Sequence, residues 1–193
     1  MISPPTIPEN HLHSCRRIVF ALGMALLVGC GAAPTQPQIS GPISGPNGAP
    51  AKTVDFEWTT MTGEPIKLSD FRGQVVLVSL FTTWCVPCAE QLSEFNRLLH
   101  GKTPIKGFAV IGVSLDLKPK TMVPPFVEYW RLDVPVAFPD AATLHGRTPF
   151  GSFSAVPTTF LVDSAGRHIE TLVGAVPTAY IRRRIDELNG ETK

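Results

Sequence analysis

The chain has 193 residues and 44% of them are hydrophobic, which is room and material for one ordinary domain with a buried core. Seventeen basic and sixteen acidic side chains give a formal net charge of +1, which argues against holding nucleic acid or anionic lipid by charge. Nineteen prolines and sixteen glycines are many, but they are unevenly placed, with a dense cluster between Gly31 and Pro50, so disorder is expected there and not throughout.

Arg16 and Arg17 precede an apolar run, Ile18 to Val28, that is too short to span a bilayer as a mature helix and reads as a targeting segment. Leu27-Val28-Gly29-Cys30 closes that run and resembles the bacterial lipobox, in which the cysteine is acylated and becomes the first mature residue. The resemblance implies a signal peptide over residues 1–29, a lipid on Cys30, and attachment to a membrane of the bacterial cell envelope, facing an extracytoplasmic compartment. Met1 to Ser14 have no role in that picture. Removal of the signal takes away Arg16, Arg17 and Glu9, leaving fifteen basic and fifteen acidic side chains. Attachment would then rest on the acyl chains, each buried methylene contributing roughly 0.8 kcal/mol. Residues 30–52 form a flexible tether rich in Pro, Gly, Ser and Gln, with a mean reach of roughly 25 Å.

From Thr53 the pattern is that of a folded domain, taken here as residues 53–190. Val54 to Trp58 alternates as a strand, Gly63-Glu64-Pro65 is a turn, and Ile66 to Leu68 is a return strand, which together make an N-terminal β-hairpin. Ser69 to Gly73 leads into Val75 to Phe81, an apolar run suited to a fully buried strand. Leu92, Phe95, Leu98 and Leu99 recur at helical spacing and Gly101 is a stop. Phe108 to Val113 is a second buried strand, so strand, helix and strand form a right-handed parallel unit. Val123 to Trp130 reads as a helix with Pro124 and Pro125 in its first turn, Val136 to Phe138 as a short strand, and Asp140 to His145 as a helical turn. Ala155 to Val162 is a strand entered through Pro157, Asp163 to Gly166 a hairpin turn, His168 to Val173 the partner strand, and Pro177 to Leu188 a closing helix. Arg182-Arg183-Arg184 on that helix reads as a solvated face.

The chemistry lies in Trp84-Cys85-Val86-Pro87-Cys88, directly after the first buried strand. Disulfide exchange needs an exposed attacking sulfur and a second thiol within reach to resolve the mixed disulfide, and two intervening residues supply that reach. At the start of a helix, unpaired N–H groups and the positive dipole end stabilise the Cys85 thiolate, and Cys88, one turn further in, is the resolving thiol. Zinc would need further ligands, yet Cys15, Cys30, His100, His145 and His168 stand alone, so neither a metal nor a cofactor is expected. A purely structural disulfide would close a loop too short to restrict the unfolded chain much.

The order strand, WCxPC, helix, strand, then a distant Val156-Pro157-Thr158, a hairpin and a final helix resembles the thioredoxin superfamily. Asp55-Phe56, Leu68 to Gly73 and Thr83 to Cys88 are similar to the TlpA/ResA-type thiol:disulfide oxidoreductases, over about Thr53 to Leu188. The resemblance implies an α/β thioredoxin-like fold, a central mixed sheet flanked by helices with the hairpin as an N-terminal extension. It also implies a cis peptide before Pro157, a Cys85–Cys88 redox disulfide, and a substrate-binding surface of Trp84, Pro87, Val156 and Pro157. Its partners would be a protein disulfide and a membrane electron donor, as in cytochrome c maturation, with the chain a monomer. Two positions depart from the family pattern. Ser79 stands where relatives carry Asp or Asn, and Gln91 where they often carry Glu; neither can act as a carboxylate proton acceptor, and Glu90 is turned about 100° away on the helix.

Two other readings compete. Thr82 lies three residues before Cys85 as in peroxiredoxins, which suggests a thiol peroxidase, although Val78 replaces the expected proline. A copper-delivery protein of the Sco type would pair the cysteines with a distant histidine such as His168, although such proteins space their cysteines by three residues. For the leading reading, Val86 and Pro87 add no charge beside the thiolate, so the Cys85 pKa is expected near the thioredoxin value of about 7, which makes a reducing couple.

Overall fold

The computed structural model describes residues 51–190. The expected signal over 1–29, Cys30 and the tether up to residue 50 lie outside the described residues. Lys52 is already held by the domain, its carbonyl accepting from the His168 N–H at 3.0 Å.

In chain order the elements are β1 (Glu57–Thr60), β2 (Pro65–Lys67), a 3-10 turn (Leu68–Phe71), β3 (Val75–Phe81) and α1 (Val86–His100). Then come β4 (Phe108–Ser114), α2 (Pro119–Trp130), β5 (Val136–Phe138) and α3 (Ala141–Leu144). The chain closes with β6 (Arg147–Thr148), β7 (Gly151–Ser152), β8 (Thr158–Val162), β9 (His168–Val173) and α4 (Thr178–Leu188). Seven strands form one mixed sheet in the order β2-β1-β5-β4-β3-β8-β9, and β6 pairs with β7 apart from it.

β3 is buried at every residue, which explains its unbroken apolar and β-branched run. It lies parallel to β4, with Val75 opposite Phe108 and Phe81 opposite Ser114, and antiparallel to β8. The crossovers β3-α1-β4 and β4-α2-β5 move the same way across the sheet, so right-handedness sets α1 and α2 on one face. There Leu92, Phe95 and Leu98 of α1, Phe126 of α2, and Ile181 and Ile185 of α4 pack with Val75, Leu77 and Phe81. Phe56, Trp58, Leu68 and Phe150 cover the opposite face, over Val76, Val78, Leu80 and Phe160. The result is the expected thioredoxin-like fold, a central mixed sheet flanked by helices.

Several expected boundaries move, the return strand expected over Ile66 to Leu68 being Pro65–Lys67 with Leu68 in the 3-10 turn. The first strand starts at Glu57, not Val54, because the Asp55 side chain takes the Phe56 and Ser69 N–H groups at 3.0 Å each, leaving the β1–β2 ladder to begin at Glu57 opposite Lys67. Pro124 and Pro125 lie inside α2 and not in its first turn, since the helix begins at Pro119, where a proline fits, and extends until Val123 and Phe126 reach the core. The strand expected from Ala155 begins at Thr158, because the Ala155 carbonyl accepts from the Thr158 hydroxyl at 2.7 Å and Pro157 has no N–H to give a ladder. No sequence pattern marks the β6–β7 hairpin. It carries Phe150 onto Phe160, with ring centroids 4.6 Å apart and stacked.

Candidate active site

Cys85 follows β3 by four residues and is the N-cap of α1, with extended backbone at φ −87 and ψ 100. Its N–H donates to the Thr82 carbonyl at 3.1 Å, which closes a tight turn after the strand. The Cys88 N–H is shared between the Cys85 carbonyl at 3.1 Å and Cys85 Sγ at 3.3 Å, so a donor of the first helical turn also faces this sulfur. Pro87 falls in that first turn, where its missing N–H leaves no helical bond unmade. Cys85 and Cys88 are joined as a disulfide. They differ in access, Cys85 being 8% exposed and Cys88 1%.

The chain beside this motif places Trp84 and Val86 in solvent, at 72% and 62% exposure. Val156 and Pro157 come from the start of β8, whose Thr158 pairs with Leu80 at the cysteine end of the sheet. The Val156–Pro157 bond is cis, as expected. Val156 packs against the cluster that contains both cysteines, and Pro157 is buried. Trp84, Pro87, Val156 and Pro157 are therefore gathered at one end of the sheet. Pro87 and Gln91 also border a groove of about 420 Å³ that runs between α1, Trp130 and the Ala175-Val176 segment.

Ser79 and Gln91 have partners that explain their presence. Ser79 is 1% exposed, and its hydroxyl accepts from Thr159 Oγ1 at 3.2 Å across the β3–β8 ladder. Gln91 is 4% exposed and exchanges two hydrogen bonds with the Val176 backbone. Glu90 points to solvent.

Asp116 escaped the sequence reading. It is 3% exposed and accepts from the Thr83 N–H at 3.0 and 3.2 Å, from the Thr83 hydroxyl at 2.9 Å and from the Ser114 hydroxyl at 2.9 Å. The meeting follows from register. Phe81 pairs with Ser114 at the parallel ends of β3 and β4, so the residues two further on, Thr83 and Asp116, leave the sheet side by side. The signal available in the sequence is an acid three residues past the second buried strand expected over Phe108 to Val113.

His168 stands at the other end of the sheet. It pairs with Val162, its Nε2 lies 3.0 Å from Thr171 Oγ1, and the rings of Phe150 and Phe160 pack edge-on against it. Burial pushes its pKa below the ordinary imidazole value. The structure therefore does not bring His168 to the cysteines, and the copper-delivery reading loses its third ligand. Thr82 is buried, its hydroxyl without a hydrogen-bond partner among the described residues, and Val78 is enclosed inside β3.

Comparison with known proteins agrees with this geometry. Residues 49–168 match the AhpC/TSA family. A thiol-disulfide oxidoreductase ResA from Bacillus cereus is 31% identical over 120 residues, 62% of this chain and 66% of the relative. The ResA of Geobacillus kaustophilus is 28% identical over 136 residues, 69% of this chain and 74% of the relative. The chain thus spans 66% of the length of the first of these relatives, a little under two thirds. Among solved structures, one from Chlorobium tepidum, provisionally assigned as a thiol:disulfide interchange protein DsbE, superposes with a TM-score of 0.61 at 29% identity, over 72% of this chain and 97% of that one. StoA from Bacillus subtilis gives a TM-score of 0.53 at 23% identity, covering 69% and 98%, a likeness of fold.

Proposed function

The chain belongs to the AhpC/TSA family of thioredoxin-like proteins, and from that premise we propose that it is a thiol:disulfide oxidoreductase that reduces disulfides of other proteins. The observation that carries this reading is the asymmetry of one helix start: Cys85 at the N-cap, its sulfur accepting an N–H, 8% exposed, and Cys88 one turn inside, 1% exposed. In the reduced protein the Cys85 thiolate attacks one sulfur of a substrate disulfide, forming a mixed disulfide and expelling the other substrate sulfur as a thiolate that takes a proton. The Cys88 thiolate then attacks Cys85 Sγ, which releases the second substrate thiol and leaves the Cys85–Cys88 disulfide. Two electrons from a donor dithiol return the pair to the reduced form.

Trp84, Pro87, Val156 and Pro157 make the surface on which the substrate lies in this scheme. The Val156 backbone is offered to an extended substrate segment beside the cysteines. The placement in the cell belongs to the same proposal: a signal over 1–29, a lipid on Cys30, and an extracytoplasmic domain fed with electrons from a membrane donor. Arg16-Arg17, the apolar run and Leu27 to Cys30 support it. Thr53 pairs with Arg167 at the end of the sheet opposite Cys85. Chemistry on a protein disulfide tests the reading. The reduced full chain, mixed with a disulfide-bonded protein, should become oxidised at Cys85 and Cys88 as substrate thiols appear in equal number. Oxidation by hydrogen peroxide at a far higher rate than by protein disulfides would favour the peroxidase reading instead.

A further inference from the structure

Two carboxylates are buried among the described residues, and they are held differently. Asp163 is paired with the Arg167 guanidinium, at 2.6 Å. Asp116 has no cation beside it; every hydrogen it receives comes from a neutral group, the Thr83 N–H, the Thr83 hydroxyl and the Ser114 hydroxyl. A turn that needed only an acceptor for one N–H would be served by a neutral side chain, which is cheaper to bury than a carboxylate. The residue held is two before Cys85, in the turn closed by the Cys85 N–H on Thr82.

We propose that Asp116 is a positioning residue for the attacking thiol: it pins the turn that aims Cys85, and its negative charge, a few ångströms below that turn, opposes ionisation of the Cys85 thiol and holds the dithiol/disulfide couple reducing. The inference deepens the proposed function and rests on Cys85 as the attacking thiol. It acts against the helix terminus, which favours the thiolate, so the potential of the couple is set by the balance of the two. The ionisable side chains on the adjoining elements, Glu90 on α1 and Lys118 and Lys120 at the start of α2, are exposed and therefore screened. Asp116 is enclosed and is not. An enclosed unit charge close to a thiol is worth enough to move its pKa by about one unit.

The test uses the full chain in reduced form. The pH dependence of alkylation at Cys85 is followed by mass spectrometry, and the equilibrium with glutathione is measured at pH 7. Asp116→Asn keeps an acceptor for Thr83 and removes the charge, so it should lower the Cys85 pKa by about one unit and shift the equilibrium about fivefold toward the dithiol, ~20 mV for a two-electron couple. Ser114→Ala removes a donor that partly offsets the charge, and should move the pKa the opposite way. An Asp116→Asn protein with lower stability but a thiol pKa within about 0.2 units of the parent would make Asp116 a scaffold residue and overturn the inference. So would shifts of the same sign in both variants. Should Asp116→Asn fail to fold, Ser114→Ala decides alone: a raised pKa supports the inference and an unmoved one overturns it. Faster alkylation of Cys88 than Cys85 in the parent protein would instead overturn the thiol assignment beneath it.

Discussion

Gln91 and Val176 exchange a pair of hydrogen bonds: Gln91 Nε2 donates to the Val176 carbonyl at 3.3 Å, and the Val176 N–H donates to Gln91 Oε1 at 3.2 Å. The side chain is 4% exposed and ties α1, which carries the cysteines, to the segment between β9 and α4. An amide satisfies both partners because it is donor and acceptor at once, whereas an ionised carboxylate can only accept. Gln91→Glu should therefore set two acceptors face to face and cost about 1–3 kcal/mol at pH 8. The loss should shrink toward pH 4, where a protonated acid can donate again. Urea unfolding of the oxidised chain at the two pH values checks this.

The two thiols should separate in trapping experiments. Cys88→Ser leaves the less buried cysteine without its resolving partner, so mixed disulfides with substrate proteins should accumulate through Cys85. Cys85→Ser leaves only the buried sulfur and should trap little. Non-reducing electrophoresis after rapid alkylation reads the difference, and adducts formed equally by both variants would contradict the assignment.

His168 should give the domain an acid-side dependence of stability. Burial lowers its pKa in the folded state, so below the unfolded value of about 6.5 the unfolded chain binds a proton that the native chain refuses. The stabilisation is complete above about pH 6.5 and is lost as pH falls through the window beneath it, with a slope of at most about 1.4 kcal/mol per pH unit. His168→Phe, which keeps the ring among Phe150 and Phe160, should flatten the curve between pH 5 and pH 6.5 in parallel unfolding titrations.

The membrane proposal makes a simple demand on Cys30. Cells supplied with a fatty-acid analogue should label the parent chain, and Cys30→Ser should abolish the label. Equal labelling of both would remove the lipid anchor.

Direction of electron flow is decided by potential. With neutral Val86 and Pro87 between the cysteines and the Asp116 carboxylate beneath the preceding turn, the couple should lie on the reducing side, nearer the thioredoxin value of about −270 mV than −120 mV. Equilibration against glutathione measures it. A value near or above about −150 mV would make the protein an oxidant.

Local physics made much of this molecule readable along the chain. A run such as Val75 to Phe81 has few alternatives to a strand buried on both faces, and Leu92, Phe95 and Leu98 at helical spacing must share a face. Trp84 to Cys88 declared its chemistry because two thiols a helical turn apart need no distant partner to exchange a disulfide, and Gly101 ended α1 where expected. Boundaries were less legible where a side chain competes with the backbone, as Asp55 does before β1 and Thr158 does before β8.

What the tertiary structure alone decided were the meetings between distant residues. Nothing in the local pattern around Asp116 marks it as the partner of Thr83; the parallel register of β3 and β4 puts them together. The same holds for Gln91 with Val176, eighty-five residues apart, and for the exclusion of His168 from the cysteine end, which follows from the antiparallel run of β8 and β9. Periodicity and propensity act within a few residues, so they specify elements and motifs. The contacts that hold the turn and helix around the cysteines are set by which strand ends lie side by side, and that is a property of the assembled sheet.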